Sequence, residues 1–267
     1  MEFIISKNIG FCNGVKNTTN KTLLHLKGKN SRLYCLGNLV HNRLVINELV
    51  NRGLVTIDNI KNISNCKLII STHGTTKDTY NSIKDKNIDL VDLTCPKVLA
   101  IHKLVENLSN KKFFIILVGN KKHEEMIGTS SFCNNSYIII ESITELNNKI
   151  NLIAKFKDIA VISQTTYSLE KFENICEFLK RNLFSSNLKI FNTICHVTKN
   201  RQMETIGIAK KVNIMIIIGD KKSSNSKKLY EISKKICKNT IFVQRVNDLN
   251  YYIKTIKKAN KVGIVSS

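Results

Sequence analysis

The stretch VDLTCPKV at residues 91–98 contains the only proline of the chain, directly after a cysteine. The apolar run 88–91 predicts a strand, and Pro96 favours the first position of a helix, where an N–H would have no partner. Cys95 is therefore predicted between strand and helix. A thiolate there faces unpaired N–H groups and the positive end of the helix dipole, which favours metal binding or nucleophilic chemistry. On this stretch alone, a small buried core cysteine is the better interpretation.

The same arrangement recurs at two other cysteines. Cys195 follows an apolar strand and precedes a helical pattern with Met203, Ile206 and Ala209 on one side. Cys12 lies in a loop between a strand and a helix. Asp92 and Asn192 occupy matching places, three residues before a cysteine. The three cysteines are far apart and form no local metal motif, so a joint role requires the fold to bring them together.

Composition indicates a soluble globular protein of 267 residues, with 42% hydrophobic and 23% charged residues. Apolar runs are too short to span a membrane. The net charge of +22 alone would favour nucleic acid, but tryptophan is absent and aromatic residues are not interleaved with the scattered lysines. We therefore predict no nucleic-acid binding, and attraction to phosphorylated metabolites and acidic electron-transfer proteins.

The eight cysteines show no regular spacing and no Cys-x-x-Cys pair. In a chain of this length without a secretory signal they are interpreted as reduced thiols. Cys35 is predicted in a strand, and Cys176 and Cys237 in helices. All three are assigned to the core.

Short apolar strands alternate with helices along the whole chain, which predicts an α/β fold with mainly parallel sheets. Candidate strands are 3–6, 33–36, 54–57, 67–71, 88–91, 113–118, 137–140, 159–163, 188–191, 214–218, 240–243 and 261–265. So many strands favour three small similar domains over one sheet. The predicted domains are 14–95, 96–193 and 194–267, the last joined by residues 1–13.

Ligands of open α/β sheets bind outside the carboxyl ends of the strands, so polar residues directly after apolar runs are candidates for a site. Those loops hold His41, His73 and His123, whereas His25 and His102 are predicted inside helices and interpreted as structural. Imidazole groups and helix N-termini favour an anion such as phosphate. The run 223–226, SSNS, precedes a helix that the apolar pattern opens at Leu229. The run fits phosphate and equally fits ordinary helix capping.

Glu125 is the carboxylate nearest a loop histidine, although Glu124 competes for the role. In a dry pocket its pKa would be raised and it could act as a general acid. The alternative is an exposed glutamate at a helix start, favoured by the dipole.

Three thiolates without a fourth partner indicate a metal centre with an open position. Zinc more usually takes local cysteine pairs, which are missing. A 4Fe-4S cluster bound by three cysteines leaves one iron free for a substrate. Three buried thiols remain the alternative.

These motifs together resemble the 4-hydroxy-3-methylbut-2-enyl diphosphate reductase family of the non-mevalonate isoprenoid pathway. The resemblance covers almost the whole chain. Its motifs occur in order at 10–15 (GFCNGV), 40–42 (VHN), 73–74 (HG), 94–96 (TCP), 123–125 (HEE), 164–166 (QTT), 193–195 (TIC) with Thr198, Arg201 and Gln202, and 223–226 (SSNS).

The resemblance implies a cloverleaf of three α/β domains around a central 4Fe-4S cluster held by Cys12, Cys95 and Cys195. It implies reductive removal of the substrate hydroxyl with two electrons and two protons, which releases isopentenyl and dimethylallyl diphosphate. It further implies that Glu125 supplies protons, that His123 and Thr165 position the substrate, and that the diphosphate is held by His41, His73, Ser223, Ser224 and Asn225. An acidic ferredoxin or flavodoxin is the expected electron donor.

Three departures from the family pattern are evident. Lys122 stands where the family usually has glycine, and His196 replaces the more usual tyrosine after the third cysteine. The chain stops at Ser267, just before a segment that carries a further phosphate-binding serine in the family, so one diphosphate contact is expected to be missing or disordered.

Two other functions compete with the reductase: a zinc-dependent hydrolase of a phosphorylated substrate and a basic nucleic-acid-binding protein. The basic, Asn/Lys-rich composition and the abrupt start at the first strand favour an enzyme trimmed of its leader in a plastid-like organelle, the apicoplast, with the cytoplasm as the alternative. The oligomeric state is not predicted.

Overall fold

A computed structural model of the chain describes residues 1–28, 32–184 and 186–267. Twelve strands occur among these residues, and they form three four-stranded sheets in which neighbouring strands are parallel. The predicted α/β class with parallel sheets is confirmed. Within the described ranges, no helix has the length and apolar character needed to cross a membrane.

All twelve predicted strands are confirmed to within one residue at each end. The strands are β1 Glu2–Ile5, β2 Leu33–Leu36, β3 Leu54–Ile57, β4 Lys67–Ile70, β5 Asp89–Asp92, β6 Phe114–Val118, β7 Tyr137–Ile140, β8 Asp158–Ser163, β9 Asn187–Phe191, β10 Ile214–Ile218, β11 Thr240–Val243 and β12 Lys261–Ser266. The helices are α1 Asn13–Leu26, α2 Arg43–Asn51, α3 Lys77–Lys84, α4 Pro96–Asn110, α5 Glu124–Ser130, α6 Ile143–Asn147, α7 Ile150–Ile153, α8 Leu169–Asn182, α9 His196–Ala209, α10 Ser224–Ile236 and α11 Ile253–Lys257, with a 3-10 helix at Val246–Tyr252.

The three sheets share one strand order. Two of them run β3-β2-β4-β5 and β7-β6-β8-β9. When the four strands of a sheet are counted in chain order, the second lies at one edge and the fourth at the other. The third runs β11-β10-β12-β1, and its fourth place is taken by the strand at the start of the chain. Because the strands of each sheet are parallel, their carboxyl ends meet at one edge, where the loops that carry the candidate residues begin.

The core of each layer follows from the pleat of the strands. Strand β6 is buried along its whole length, and alternate residues point to opposite faces. Phe114, Ile116 and Val118 belong to one apolar cluster, with residues of α8, whereas Ile115 and Leu117 belong to another, with residues of α4. A continuous apolar run is typical of a parallel strand covered by helices on both faces.

The described residues divide into two compact units. The first unit consists of Met1–Asn13, His41–Arg43 and Cys195–Ser267, and the second of Gly14–Val40 and Leu44–Ile194. The sheet that contains β1 lies in the first unit and the other two sheets lie in the second.

Each predicted domain range therefore contains one sheet, but 14–95 and 96–193 fall together in the second unit. Lys77 connects the two ranges there: its backbone N–H donates to Ser131 Oγ at 2.9 Å, and its ammonium pairs with Glu106. The domain boundaries stay a prediction.

Helix α9 differs from its predicted packing. The apolar pattern places Met203, Ile206 and Ala209 on the inner face, but Met203 is 57% exposed. The buried face is largely polar and consists of Thr198, Arg201, Gln202, Thr205, Ile208 and Ala209. Apolar periodicity fails here because the Arg201 side chain finds backbone hydrogen-bond acceptors inside the first unit.

Two smaller expectations also change. The helix after the SSNS run begins at Ser224, five residues before Leu229, where the apolar pattern places its opening. Cys237 follows the last helical residue of α10 rather than lying within the helix. It is nevertheless buried, as are Cys35 and Cys176, so their assignment to the core is confirmed.

Candidate active site

Cys95 and Cys195 lie in two copies of one turn. Cys95 directly precedes α4 with φ −57° and ψ 130°, and Cys195 directly precedes α9 with φ −58° and ψ 134°. In the first turn the Thr94 N–H donates a hydrogen bond to Asp92 Oδ1 at 2.9 Å. In the second, the Ile194 N–H donates to Asn192 Oδ1 at 3.2 Å. The matching places of Asp92 and Asn192 therefore reflect a shared local structure, which short polar side chains form readily.

Cys12 lies directly before α1 and belongs to the first unit, as Cys195 does. Gly10, two residues earlier, has φ +75°, and its N–H donates to Ser266 Oγ at 2.6 Å. Both Cys12 and Cys195 interact electrostatically with the same guanidinium, that of Arg201. The two cysteine-bearing loops of the first unit are thus associated with one buried cation.

The other cysteines differ in burial and chemistry. Burial raises the pKa of Cys35 and Cys133 to about 12 and that of Cys176 to about 11, so these thiols stay protonated at neutral pH. Cys237 is buried, with its sulfur 3.4 Å from the Asn213 carbonyl oxygen. Cys12, Cys95 and Cys195 are half-buried, a property shared by Cys66. The core thiols are therefore distinguished by their burial. Cys12, Cys95 and Cys195 differ from Cys66 in that each lies between a strand and a helix.

The SSNS run forms the N-terminus of α10. Ser223 precedes the helix and its Oγ accepts from the Ser226 N–H at 3.2 Å, which confirms the capping interpretation. Ser224 and Asn225 lie in the first turn, where backbone N–H groups favour an anion. The buried Asn225 Oδ1 has no hydrogen-bond partner among the described residues, so a polar ligand would complete its bonding.

A buried carboxylate joins this run to the segment that carries His41. Asp220 is 2% exposed, and its oxygens accept from the N–H groups of Arg43 and Lys222 and from Gln244 Nε2 at 2.6–2.8 Å. Burial acts to raise the pKa of Asp220, but these hydrogen bonds lower it overall. Sequence reasoning missed Asp220 because its partners are scattered along the chain.

In the second unit, two of the predicted histidines lie together. The rings of His73 and His123 are 5.6 Å apart in an edge-to-face arrangement. His73 Nδ1 lies 3.1 Å from a carboxylate oxygen of Glu124 and 3.3 Å from Ser71 Oγ. Glu124 thus pairs with His73. The buried carboxylate is its neighbour in sequence, Glu125.

His123 also caps helix α5. Its Nδ1 accepts a hydrogen bond from the Glu125 N–H at 3.2 Å. When the ring is neutral, its proton must therefore be on Nε2, which makes that nitrogen a donor. A donor at this position suits a hydroxyl or phosphate oxygen.

Glu125 is buried and bonded to Thr165. Its side chain is 3% exposed; Oε1 accepts from the Thr165 N–H at 2.7 Å and Oε2 accepts from Thr165 Oγ1 at 2.6 Å. Burial raises the pKa of Glu125, although the Thr165 hydrogen bonds and the His73 charge act in the opposite direction. The exposed helix-start alternative is wrong for Glu125, and the environment is that of an acid in a dry pocket.

Gln164 is a further polar residue at this edge of the sheet. It is 2% exposed, and its Oε1 accepts from the Asn120 N–H at 3.0 Å. Its Nε2 is buried without a hydrogen-bond partner in the described ranges, so this amide can donate to a ligand. In the sequence, only its place in the QTT motif indicated that Gln164 could be functional, because an uncharged amide gives no charge or metal-ligand signal.

The loop that carries His73 packs against the helix that follows Cys95. Gly74 has φ +75°, and a Cβ added there would lie 2.8 Å from His102 Cε1 and 3.2 Å from Thr94 Cγ2. His102 is 3% exposed, and burial lowers its pKa to about 4, so the ring is neutral. The structural assignment of His102 fits this position, and glycine at 74 permits the close contact.

The profile of the LytB protein family matches residues 3–267. The chain belongs to the LytB protein family. A family relative named 4-hydroxy-3-methylbut-2-enyl diphosphate reductase, from Caldanaerobacter subterraneus subsp. tengcongensis, is 35% identical over 100% of this chain and 91% of its own. One with the same name from Campylobacter hominis is 37% identical over 93% of this chain and 87% of its own.

Two solved structures are similar to the whole chain. The E-1-hydroxy-2-methyl-but-2-enyl-4-diphosphate reductase from Plasmodium falciparum superposes with a TM-score of 0.92 at 28% identity, over 100% of this chain and 83% of that one. A second structure, described as (E)-4-hydroxy-3-methyl-but-2-enyl diphosphate reductase, the terminal enzyme of the non-mevalonate pathway, gives a TM-score of 0.69 at 30% identity, over 100% of this chain and 94% of that one. The family read from the motifs is confirmed, and neither competing function is named among these relatives.

One departure from the family pattern has a structural answer. Lys122 does not occur among the described residues with positive φ, so its turn does not require glycine. Its N–H donates to Asn120 Oδ1 at 2.9 Å, which closes the turn before His123. His196, the other substituted position, is exposed at the start of α9.

Proposed function

We propose that this protein removes the hydroxyl group of 4-hydroxy-3-methylbut-2-enyl diphosphate reductively. Two electrons and two protons enter, one molecule of water leaves, and the products are isopentenyl and dimethylallyl diphosphate. The observation that carries the proposal is the buried Glu125–Thr165 pair beside two histidines, since it can hold and deliver a proton in a dry pocket. A hydrolase would instead need a bound water and no electrons.

Diphosphate binding is assigned to both groups of polar residues. In the first unit, the N-terminus of α10 offers Ser223, Ser224 and Asn225, and Asp220 holds the segment of His41 beside that loop. In the second unit, His73 would contribute a donor. Helix N-terminal N–H groups and imidazoles both favour phosphate oxygens.

Cys12, Cys95 and Cys195 are proposed as the metal ligands. Each is a half-buried thiol at a strand-to-helix junction, and thiolate donors without carboxylates suit an iron–sulfur cluster. A 4Fe-4S cluster with three such ligands supplies, when bound, electrons and one iron with an open position. Cys66 lies outside the junctions and is not assigned.

Proton delivery is assigned to Glu125 through Thr165. The Oε2–Oγ1 distance of 2.6 Å allows the acid to give its proton to the threonine hydroxyl while that hydroxyl passes its own proton on. One proton leaves with the substrate hydroxyl as water, and the second ends on a product carbon. His123, with its Nε2 donor, would orient the substrate hydroxyl.

An acidic ferredoxin or flavodoxin is proposed as the electron donor, because a chain with net charge +22 attracts acidic surfaces. For location, a plastid-like organelle rests on composition alone. The two curated relatives described above are bacterial and do not support it, so the cytoplasm stands beside it as a hypothesis.

The test is a product assay on protein purified without oxygen. With the hydroxylated diphosphate and a chemical reductant, mass spectrometry should detect both isomeric products. The same protein stripped of iron and loaded with zinc should form neither. Release of inorganic phosphate by the zinc form, without product from the iron form, would favour the hydrolase.

A further inference from the structure

Helix α9 presents two oppositely charged residues to the loop that leads to Cys12. Arg201 and Glu204 are three residues apart and therefore lie on one face of the helix. The loop, residues 6–10, and the helix both belong to the first unit. The helix itself begins directly after Cys195.

Arg201 binds the carbonyl groups of this loop. It is 5% exposed; its Nε donates to the Asn8 carbonyl oxygen at 3.0 Å and an Nη donates to the Gly10 carbonyl oxygen. The guanidinium is a rigid planar donor, so two bonds to one loop fix that loop in position and angle. Gly10 is only two residues from Cys12.

Glu204 binds the N–H side of the same loop. Its carboxylate accepts from Ser6 Oγ at 2.7 Å, from the Lys7 N–H, and from the N–H and side-chain amide of Asn8 at 3.3 and 2.9 Å. Burial acts to raise the pKa of Glu204, but these hydrogen bonds lower it overall, so the group is ionised. Helix α9 thus holds the loop through donors and acceptors at once.

Arg201 also interacts electrostatically with the thiols of Cys12 and Cys195. Burial lowers the pKa of Arg201 overall, although Cys12, Cys195 and Glu204 act to raise it, and a guanidinium remains charged in proteins. Charge near a cluster and the groups around its ligands set its reduction potential. Reduction adds negative charge, which a nearby buried cation stabilises.

We propose that Arg201 is a positioning residue for the metal centre, which fixes Cys12 relative to Cys195 and raises the reduction potential of the cluster they hold. The inference rests on the proposed ligation by these cysteines. Sequence periodicity gave no reason for a buried arginine on α9, and this role accounts for it. Glu204 completes the loop contacts but has the opposite charge.

The test compares Arg201→Gln, Arg201→Lys and Glu204→Gln in anaerobic redox titrations followed by electron paramagnetic resonance. Loss of the cation should disfavour one-electron reduction about tenfold, equivalent to about 59 mV. Arg201→Lys should keep a potential near that of the natural protein, because its charge is kept. Glu204→Gln should shift the potential in the opposite direction, by less because Glu204 is more exposed.

Iron content distinguishes failure of the proposed function from failure of the role of Arg201. If the natural protein binds no iron–sulfur cluster, the proposed function fails first. If it binds one and the Arg201→Gln and Glu204→Gln potentials move in the same direction, or neither moves, the role of Arg201 is wrong. Arg201→Gln could fail to bind the cluster, and the other two variants then decide. A higher reduction potential in Glu204→Gln together with an unchanged potential in Arg201→Lys still supports the role of Arg201. An unchanged potential in Glu204→Gln overturns it.

Discussion

Glu125 and Thr165 can keep their hydrogen bonds in two charge states. When Glu125 is ionised, the Thr165 N–H and Oγ1–H both donate to it. When it is protonated, one oxygen still accepts from the N–H while the acid O–H donates to Oγ1, since a hydroxyl can also accept. The pair can therefore release and regain a proton without rearranging the pocket.

We expect Glu125→Gln to fold and bind iron normally but to lose turnover by about 10²- to 10⁴-fold, the usual contribution of a general acid. The glutamine oxygen can accept from the Thr165 N–H and its NH₂ can donate to Oγ1, so only the transferable proton is removed. Steady-state rates and iron content measure the two effects. Glu106→Gln, which loses a partly exposed ion pair with Lys77, is the matched control. Full activity of Glu125→Gln would place the acid elsewhere.

At the scale of the secondary structure, the sequence was sufficient for the elements but not for their polar contacts. Strand positions and the Cys95 and Cys195 junctions follow from apolar runs, Pro96 and local periodicity, which are properties of neighbouring residues. The contact of Arg201 with Asn8 and that of Asp220 with Arg43 do not, because the partners lie more than 100 positions apart along the chain. Polar contacts of this kind leave no periodic signal, and functional loops depend on them most.

The contact between the His73 loop and helix α4 can be tested at Gly74. Gly74→Ala meets His102 and Thr94 in addition to the strain of its positive φ. We expect it to raise KM for the diphosphate substrate, because His73 must move. Gly53→Ala is the matched control: its φ is also positive, at +105°, but nothing lies within 4 Å of the added Cβ.

The control should lose about 1–3 kcal/mol of unfolding free energy from backbone strain and keep its KM. Gly74→Ala should lose more unfolding free energy than the control. Denaturant unfolding and steady-state kinetics provide the two values. Equal KM values for the two variants would show that the Gly74 contact does not position His73.

Across the chain, one strand order is used in three sheets, and the strand at the start of the chain is the fourth strand of the third sheet. Pairing of β1 with β12, from Glu2 opposite Lys261 to Ile5 opposite Ile264, brings residues from both ends of the chain into one sheet. Cys12 lies in the loop that connects β1 to α1, so the topology itself determines which unit this cysteine joins. The high net charge is the other property of the molecule as a whole.

Reduction by an acidic ferredoxin should depend strongly on salt. Charges separated by more than a Debye length of about 8 Å are screened at physiological ionic strength, so the second-order rate constant should fall as salt rises. Stopped-flow measurements over a range of ionic strengths give this dependence. A small neutral reductant serves as the control and should show little change. A ferredoxin rate that ignores salt would contradict electrostatic docking.

Cys12, Cys95 and Cys195 are proposed to hold one iron–sulfur cluster. Iron and acid-labile sulfide per chain, measured under anaerobic conditions for single serine substitutions, test it most directly. We predict about four of each in the natural protein, a clear loss in each of the three variants, and no loss in Cys66→Ser, whose thiol is also half-buried. Unchanged iron and sulfide in any of the three variants, or full activity of iron-free natural protein, would contradict the claim.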